Sequence, residues 1–92
     1  MKNYIGTSIA ANYFRGPEAV GGKIAFDETG LTFRSHALNI QTGDTRIDYD
    51  QIEMIRKVNT FGVIPNGMLI ITKDFRRHQF VIYHRKKVID FL

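Results

Sequence analysis

In the run Lys73-Asp74-Phe75-Arg76-Arg77-His78, three permanent cations and an aromatic ring lie within five residues of one another. Guanidinium groups grip phosphate oxygens through paired, charge-assisted hydrogen bonds, so the chemistry on offer is recognition of an anion, not its transformation. Phe75 beside two arginines suits an interfacial anchor, its ring in a lipid headgroup layer with the charges around it. The plain alternative is a solvated hairpin tip with Phe75 folded onto the body of the protein.

Other chemistry-bearing residues are poorly spaced for catalysis. His78 and His84 are six residues apart on one predicted strand, about 20 Å, too far to share a metal. His36 adds no usable ligand spacing. Ser35 and His36 are strand neighbours pointing to opposite faces, which rules out a dyad. Asp48 and Asp50 at a strand end read as a turn or cap. Gly21-Gly22 precedes a strand, where a phosphate-cradling loop would precede a helix. The chain has no cysteine, hence no disulfide and no thiolate ligand. The expectation is no catalytic residue, no metal and no cofactor.

The elements that must hold the basic run are strands. Gly21 to Phe33 reads as a hairpin: Ile24 and Phe26 face one way, Lys23 and Asp27 the other, and Leu31 and Phe33 alternate with Thr32 and Arg34 after a Glu28-Thr29-Gly30 turn. Gly30 is expected to supply a positive φ to that turn. A first strand runs from Ala10 to Phe14, stopped by Gly16-Pro17. The third strand extends to about Leu38, followed by a polar loop from Asn39 to Asp44. Thr45 to Tyr49 is a fourth strand, Asp50 to Ile52 a turn, and Glu53 to Phe61 a fifth strand. Pro65 and Asn66-Gly67 are expected to reverse the chain before a continuously apolar sixth strand, Met68 to Lys73. His78 to Tyr83 is a seventh. From Arg85 the period changes, with Val88, Ile89 and Leu92 on one helical face.

Exposing that face would cost roughly 1.5–3 kcal/mol per large side chain, so the helix must cap an open end of the sheet. The fold class is therefore mainly β: a pleckstrin-homology-like, seven-stranded antiparallel split barrel closed by a short C-terminal helix. In such a barrel the loops after strands one, three and six gather at one rim, bringing the 74–77 tip toward Arg15 and the 39–44 loop.

At 92 residues the chain is one domain, residues 1–92. Its apolar content of 43% is ordinary, no apolar run approaches the ~20 residues of a bilayer span, and no signal-peptide core follows Met1-Lys2-Asn3, so a cytoplasmic location is expected. The charge is uneven: residues 1–50 carry five Lys/Arg against six Asp/Glu, whereas residues 51–92 carry eight against three. A basic half of this kind suggests an anionic partner, though +4 overall is also ordinary for solubility. Nucleic acid is the electrostatic rival, with Phe75, Phe80 and Tyr83 among Arg76, Arg77, His78 and Arg85; these aromatics are more simply core, no RNA-binding motif is present, and nucleic acid is disfavoured.

The residues also carry a resemblance. Gly21-Gly22-Lys23-Ile24 with Leu31-Thr32-Phe33, Ile47 before Asp50-Gln51-Ile52 and Ile55, and Phe80-Val81-Ile82 before Arg85 resemble the pattern of the GRAM domain family, a branch of the pleckstrin-homology superfold, from about Asn12 to Leu92. The likeness is to a single-domain member of bacterial type. It implies a non-catalytic module with peripheral attachment to the inner face of a membrane through anionic phospholipid. Arg15, Lys23, Lys73, Arg76 and Arg77 are the expected headgroup contacts and Phe75 the anchor. Arg85-Lys86-Lys87 forms a second basic patch, in which Arg85 is alternatively a tether for the helix. The alternative function is protein–protein interaction, with the apolar Phe61-Gly62-Val63-Ile64-Pro65 loop offering Phe61, Val63 and Ile64 to a partner, or the groove beside the helix taking a peptide.

Overall fold

The computed structural model of the protein describes residues 3–36 and 44–92. Its elements are β1 (Ser8–Arg15), β2 (Glu18–Phe26), β3 (Gly30–Ser35), β4 (Thr45–Asp48), β5 (Ile52–Thr60), β6 (Ile64–Thr72), β7 (Arg77–Ile82) and α1 (Arg85–Phe91), with a 3-10 turn at Tyr49–Gln51 between β4 and β5. All strand pairs are antiparallel in the order β4-β3-β2-β1-β7-β6-β5. The sheet curls into a half-barrel, split between β4 and β5, and the expected pleckstrin-homology-like split barrel with its helical cap is what the chain forms.

Period-two burial follows the pleat. Ile24, Phe26, Leu31, Phe33, Ile47, Met68, Ile70, Phe80 and Ile82 line the concave side, and Val88 of α1 is pressed onto them. Leu69 is buried too, on the opposite face, because Arg56 and Gln79 flank it on the neighbouring strands and share that face. Phe91 completes one end of the core, with ring centroids 5.5 Å from Tyr4, 5.7 Å from Phe26 and 6.1 Å from Tyr49. The helix is fastened at its other end by Arg85, whose Nη1 donates to the carbonyls of Val58 (2.9 Å) and Gly67 (3.3 Å). This is the tether alternative for Arg85, and it removes that cation from the surface patch.

Several boundaries differ from the sequence expectation. β3 ends at Ser35; Leu38 and most of the 39–44 loop lie outside the described residues. Tyr49 belongs to the 3-10 turn, where its hydroxyl donates to the Asp27 carbonyl at 2.8 Å. The larger correction is at β6. Asn66-Gly67 does not reverse the chain: β6 already begins at Ile64, and the turn lies at Phe61, Gly62 and Val63. Pro65 is tolerated because that part of β6 pairs with β5 alone, across a bulge between Val58 and Thr60.

Gly30 also has a different task from the one expected, since its φ is not left-handed. A Cβ there would sit 2.4 Å from the Ile47 carbonyl oxygen and 2.8 Å from the Asp48 Cα, so the glycine permits β4 to approach. The turn before it is shaped instead by the Asp27 carboxylate, which accepts from Thr29 N–H (2.9 Å) and Gly30 N–H (3.0 Å).

Candidate functional site

The basic run sits at the β6–β7 turn. Thr72 starts it: its carbonyl accepts from Phe75 N–H at 2.9 Å, and its own N–H donates to the Arg76 carbonyl at 3.0 Å. Lys73 N–H donates to the Gln51 carbonyl at 2.9 Å, tying the turn to the 3-10 segment. The Asp74 carboxylate accepts from the Thr72 hydroxyl and, at 3.3 Å, from Arg76 N–H. Those bonds, led by the Thr72 hydroxyl, hold the Asp74 carboxyl below the usual carboxylate range.

The consequence for Phe75 is unusual. It closes the turn with a left-handed backbone, φ 67°, and its side chain is 92% exposed. A large non-glycine residue in that conformation costs about 1–2 kcal/mol, with no compensating burial. Lys73, Arg76 and Arg77 surround it, all exposed. Arg76 pairs with Asp74 at 3.4 Å, both groups largely in water, where such pairs are weak and readily exchanged.

The strand order brings the β1–β2 turn to the same end of the molecule. Tyr13 is opposite Phe80, so the register carried two residues further sets Arg15 level with His78. The Arg15 guanidinium lies 6.0 Å from the centre of the Tyr13 ring. Between this end and β4 lies an open cleft walled by Tyr13, Asp44, Arg46, Gln51, Asp74 and His78. At its base the Tyr13 hydroxyl and His78 Nδ1 are 2.8 Å apart, and burial depresses the His78 pKa below its ordinary value.

The structure thus gathers Lys73, Phe75, Arg76, Arg77 and Arg15 at one end. Lys23 is not among them. It stands mid-strand on the outer face between Ala10 and Arg34, five residues from Glu18 and hence about 17 Å from the turn. Period-two alternation gave its face correctly but could not give its height. Phe80 is fully buried, in contact with Tyr13 (4.8 Å) and Phe33 (6.0 Å), and offers no ring for stacking a base. Lys86 is paired with Asp90 at 3.0 Å on the outside of α1.

A second cluster, Arg46 with Asp27, was hidden from the sequence by a separation of nineteen positions. Arg46 donates to both Asp27 oxygens, to Asp48 Oδ1 (2.9 Å) and to the Thr29 hydroxyl (2.6 Å). It lowers the Asp27 carboxyl well below the carboxylate range. With its donors so committed, Arg46 fixes the β2–β3 turn to β4 and is not a free headgroup contact.

Phe61, Val63 and Ile64 project from the β5–β6 turn, 85%, 75% and 45% exposed. Phe61 and Gly62 are both left-handed, at φ 53° and 76°. The turn is closed by Gly62 N–H on the Asn59 carbonyl (3.1 Å) and Val63 N–H on that of Thr60 (3.2 Å). The eight steps of β6 from Ile64 to Thr72 put this turn about 26 Å from the basic one.

Among the described residues no group of three or more His, Cys, Asp or Glu side chains is placed to hold a metal, and no helix is long and apolar enough to cross a membrane. No family model and no curated protein matches the chain. Among solved structures it is similar to the C-terminal domain of an unknown protein from Leishmania infantum, with a TM-score of 0.77 at 17% identity, over 94% of this chain and 77% of that one. That likeness is one of fold, and the fold is the split barrel described above.

Proposed function

We propose that the chain is a GRAM-like, non-catalytic binding module that attaches peripherally to an anionic lipid surface through the β6–β7 turn. The observation that carries this reading is Phe75: left-handed, 92% exposed, and bracketed by Lys73, Arg76 and Arg77. The fold gains nothing from a phenylalanine there, whereas a bilayer interface accepts the ring and leaves the cations among phosphates. Each cation near an anionic leaflet contributes about 1 kcal/mol, and an inserted phenylalanine about 1.5–3 kcal/mol. The sum describes weak, salt-sensitive attachment. Asp74 orders the turn and keeps Arg76 close, and the exposed Arg76–Asp74 pair gives way to a phosphate.

The non-catalytic part of the proposal rests on commitment of the reactive groups. His78 is spent on Tyr13 in a mostly buried pair, and Asp27, Asp48 and Arg46 on one another. The test is sedimentation with phosphatidylcholine vesicles containing increasing phosphatidylserine at two salt concentrations, for the wild type and Arg76→Ala/Arg77→Ala. Binding should rise with phosphatidylserine, fall with salt and drop at least tenfold in the variant. No pelleting at low salt rejects the lipid reading.

A further inference from the structure

The opposite end of β6 is built differently, and the basic turn leaves it unexplained. Phe61, Val63 and Ile64 form a convex apolar tip, and Phe61, like Phe75, is held in a left-handed backbone while its ring stays in water. Val81 lies opposite Gly67, so the register carried two residues further sets Tyr83, itself 78% exposed, level with Pro65 on the same end.

The charge around this tip is one-sided. No carboxylate occurs from Met54 to Lys73, nor from Phe75 to Ile89. Arg85 bonds the carbonyls of Val58 and Gly67, and Val58 is three residues, about 10 Å, from Phe61 along β5, so the start of α1 is fastened at this end of the sheet. Exposed Lys86 and Lys87 follow Arg85 in the first turn of α1, and exposed Lys57 is four residues from Phe61 on β5. The carboxylates on β5 and α1 are Glu53, at the far end of its strand, and Asp90, paired with Lys86.

From this geometry we infer that the β5–β6 tip is a second insertion surface for an anionic bilayer, so that one copy bridges two apposed membranes. A protein hot spot is normally an anchor within a rim that excludes water. Here Phe61 and Val63 of a three-residue turn and Ile64 at the start of β6 are exposed together with lysines behind them, the arrangement suited to a fluid apolar phase under an anionic layer. The two tips close opposite ends of β6, about 26 Å apart in a molecule whose longest extent is 35 Å, so a copy standing on one tip presents the other to a second membrane. Insertion at this tip stands by itself; bridging rests also on the proposed role of the β6–β7 turn.

The experiment mixes full-length protein with phosphatidylserine–phosphatidylcholine vesicles and reads binding by sedimentation and clustering by light scattering. The wild type should bind and cluster. Phe61→Ser/Val63→Ser/Ile64→Ser should still bind through the other end, with clustering reduced at least fivefold. Phe61→Gly/Val63→Ser, which keeps the left-handed backbone natural to glycine, should do the same, and thermal unfolding of each variant checks the fold. Equal clustering by the wild type and both tip variants overturns the inference, as does wild-type binding without clustering; in either case the β6–β7 reading survives. Binding lost only in the Phe61 variants, and retained in Phe75→Ser/Arg76→Ala/Arg77→Ala, supports insertion at this tip and overturns bridging together with the β6–β7 reading. No binding by the wild type overturns both, and leaves the tip to a protein partner.

Discussion

The two turns at the ends of β6 use one backbone device for two kinds of surface. Each places a phenylalanine in the left-handed region and leaves it in water, at Phe61 and at Phe75. Around Phe75 the neighbours are charged, with a carboxylate in the turn itself and Asp44 across the cleft; around Phe61 they are Val63 and Ile64, with the lysines set back. On the proposed reading the first turn would draw its affinity largely from charge with one ring inserted, and the second would draw more of its affinity from apolar contact. Salt should therefore weaken contacts made at the β6–β7 end far more than those made at the other.

That contrast can be broken most strongly by removing the whole basic turn. Phe75→Ser/Arg76→Ala/Arg77→Ala should reduce vesicle binding by on the order of a hundredfold or more at low salt, from two cations and one inserted ring; sedimentation measures it, and a loss under fivefold would mean the other end carries the affinity. Arg85→Ala should act on stability at the Phe61 end. It leaves the Val58 and Gly67 carbonyls without the guanidinium and frees the start of α1, at a cost of about 2 kcal/mol in urea unfolding, with binding at the Phe75 end unchanged.

Phe61→Gly and Phe75→Gly sharpen the comparison further. Each relieves a left-handed backbone and should raise folding stability by about 1 kcal/mol while lowering binding at its own end. Opposite signs in unfolding and in sedimentation would mark both rings as kept for contact. The smallest effect expected is on pH. Burial holds the His78 pKa below its ordinary value of 6.5, so as pH falls past 6.5 the unfolded chain takes up a proton that the folded chain refuses. Stability then declines with acidification until the lower folded value is reached. The Tm measured from pH 7.5 to 5 should show that decline for the wild type, and a flatter profile for His78→Gln.

Much of this arrangement was legible in the sequence, and the failures share a cause. Alternation from Gly21 to Phe33 gave the hairpin because one face of it is buried, and the helical period after Arg85 gave the cap because Val88 must be covered. The basic turn was readable since all its residues are local. What could not be read were matters fixed by distant neighbours. Asn66-Gly67 is a strong turn signal, yet it lies inside β6 because β5 and β7 pair with it there, and the reversal fell on Phe61, a residue with no turn preference. Gly30 was needed for the approach of β4, and Arg46 for a carboxylate nineteen positions away. The height of Lys23 on its strand depended likewise on where β1 turns.

One further consequence concerns how the chain reaches this state. β1 to β4 pair with near neighbours in sequence, as do β5 to β7, and the two groups are joined in the sheet at β1 and β7, where Tyr13 meets Phe80 across sixty-seven positions. Closing so long a loop precedes any reward from the contact, so that step should limit the folding rate and fall late in it. The two segments that must meet carry opposite net charge, five cations against six anions in residues 1–50 and eight against three in residues 51–92. Their mutual attraction favours the encounter, and refolding should slow as salt is added even though the native core is apolar.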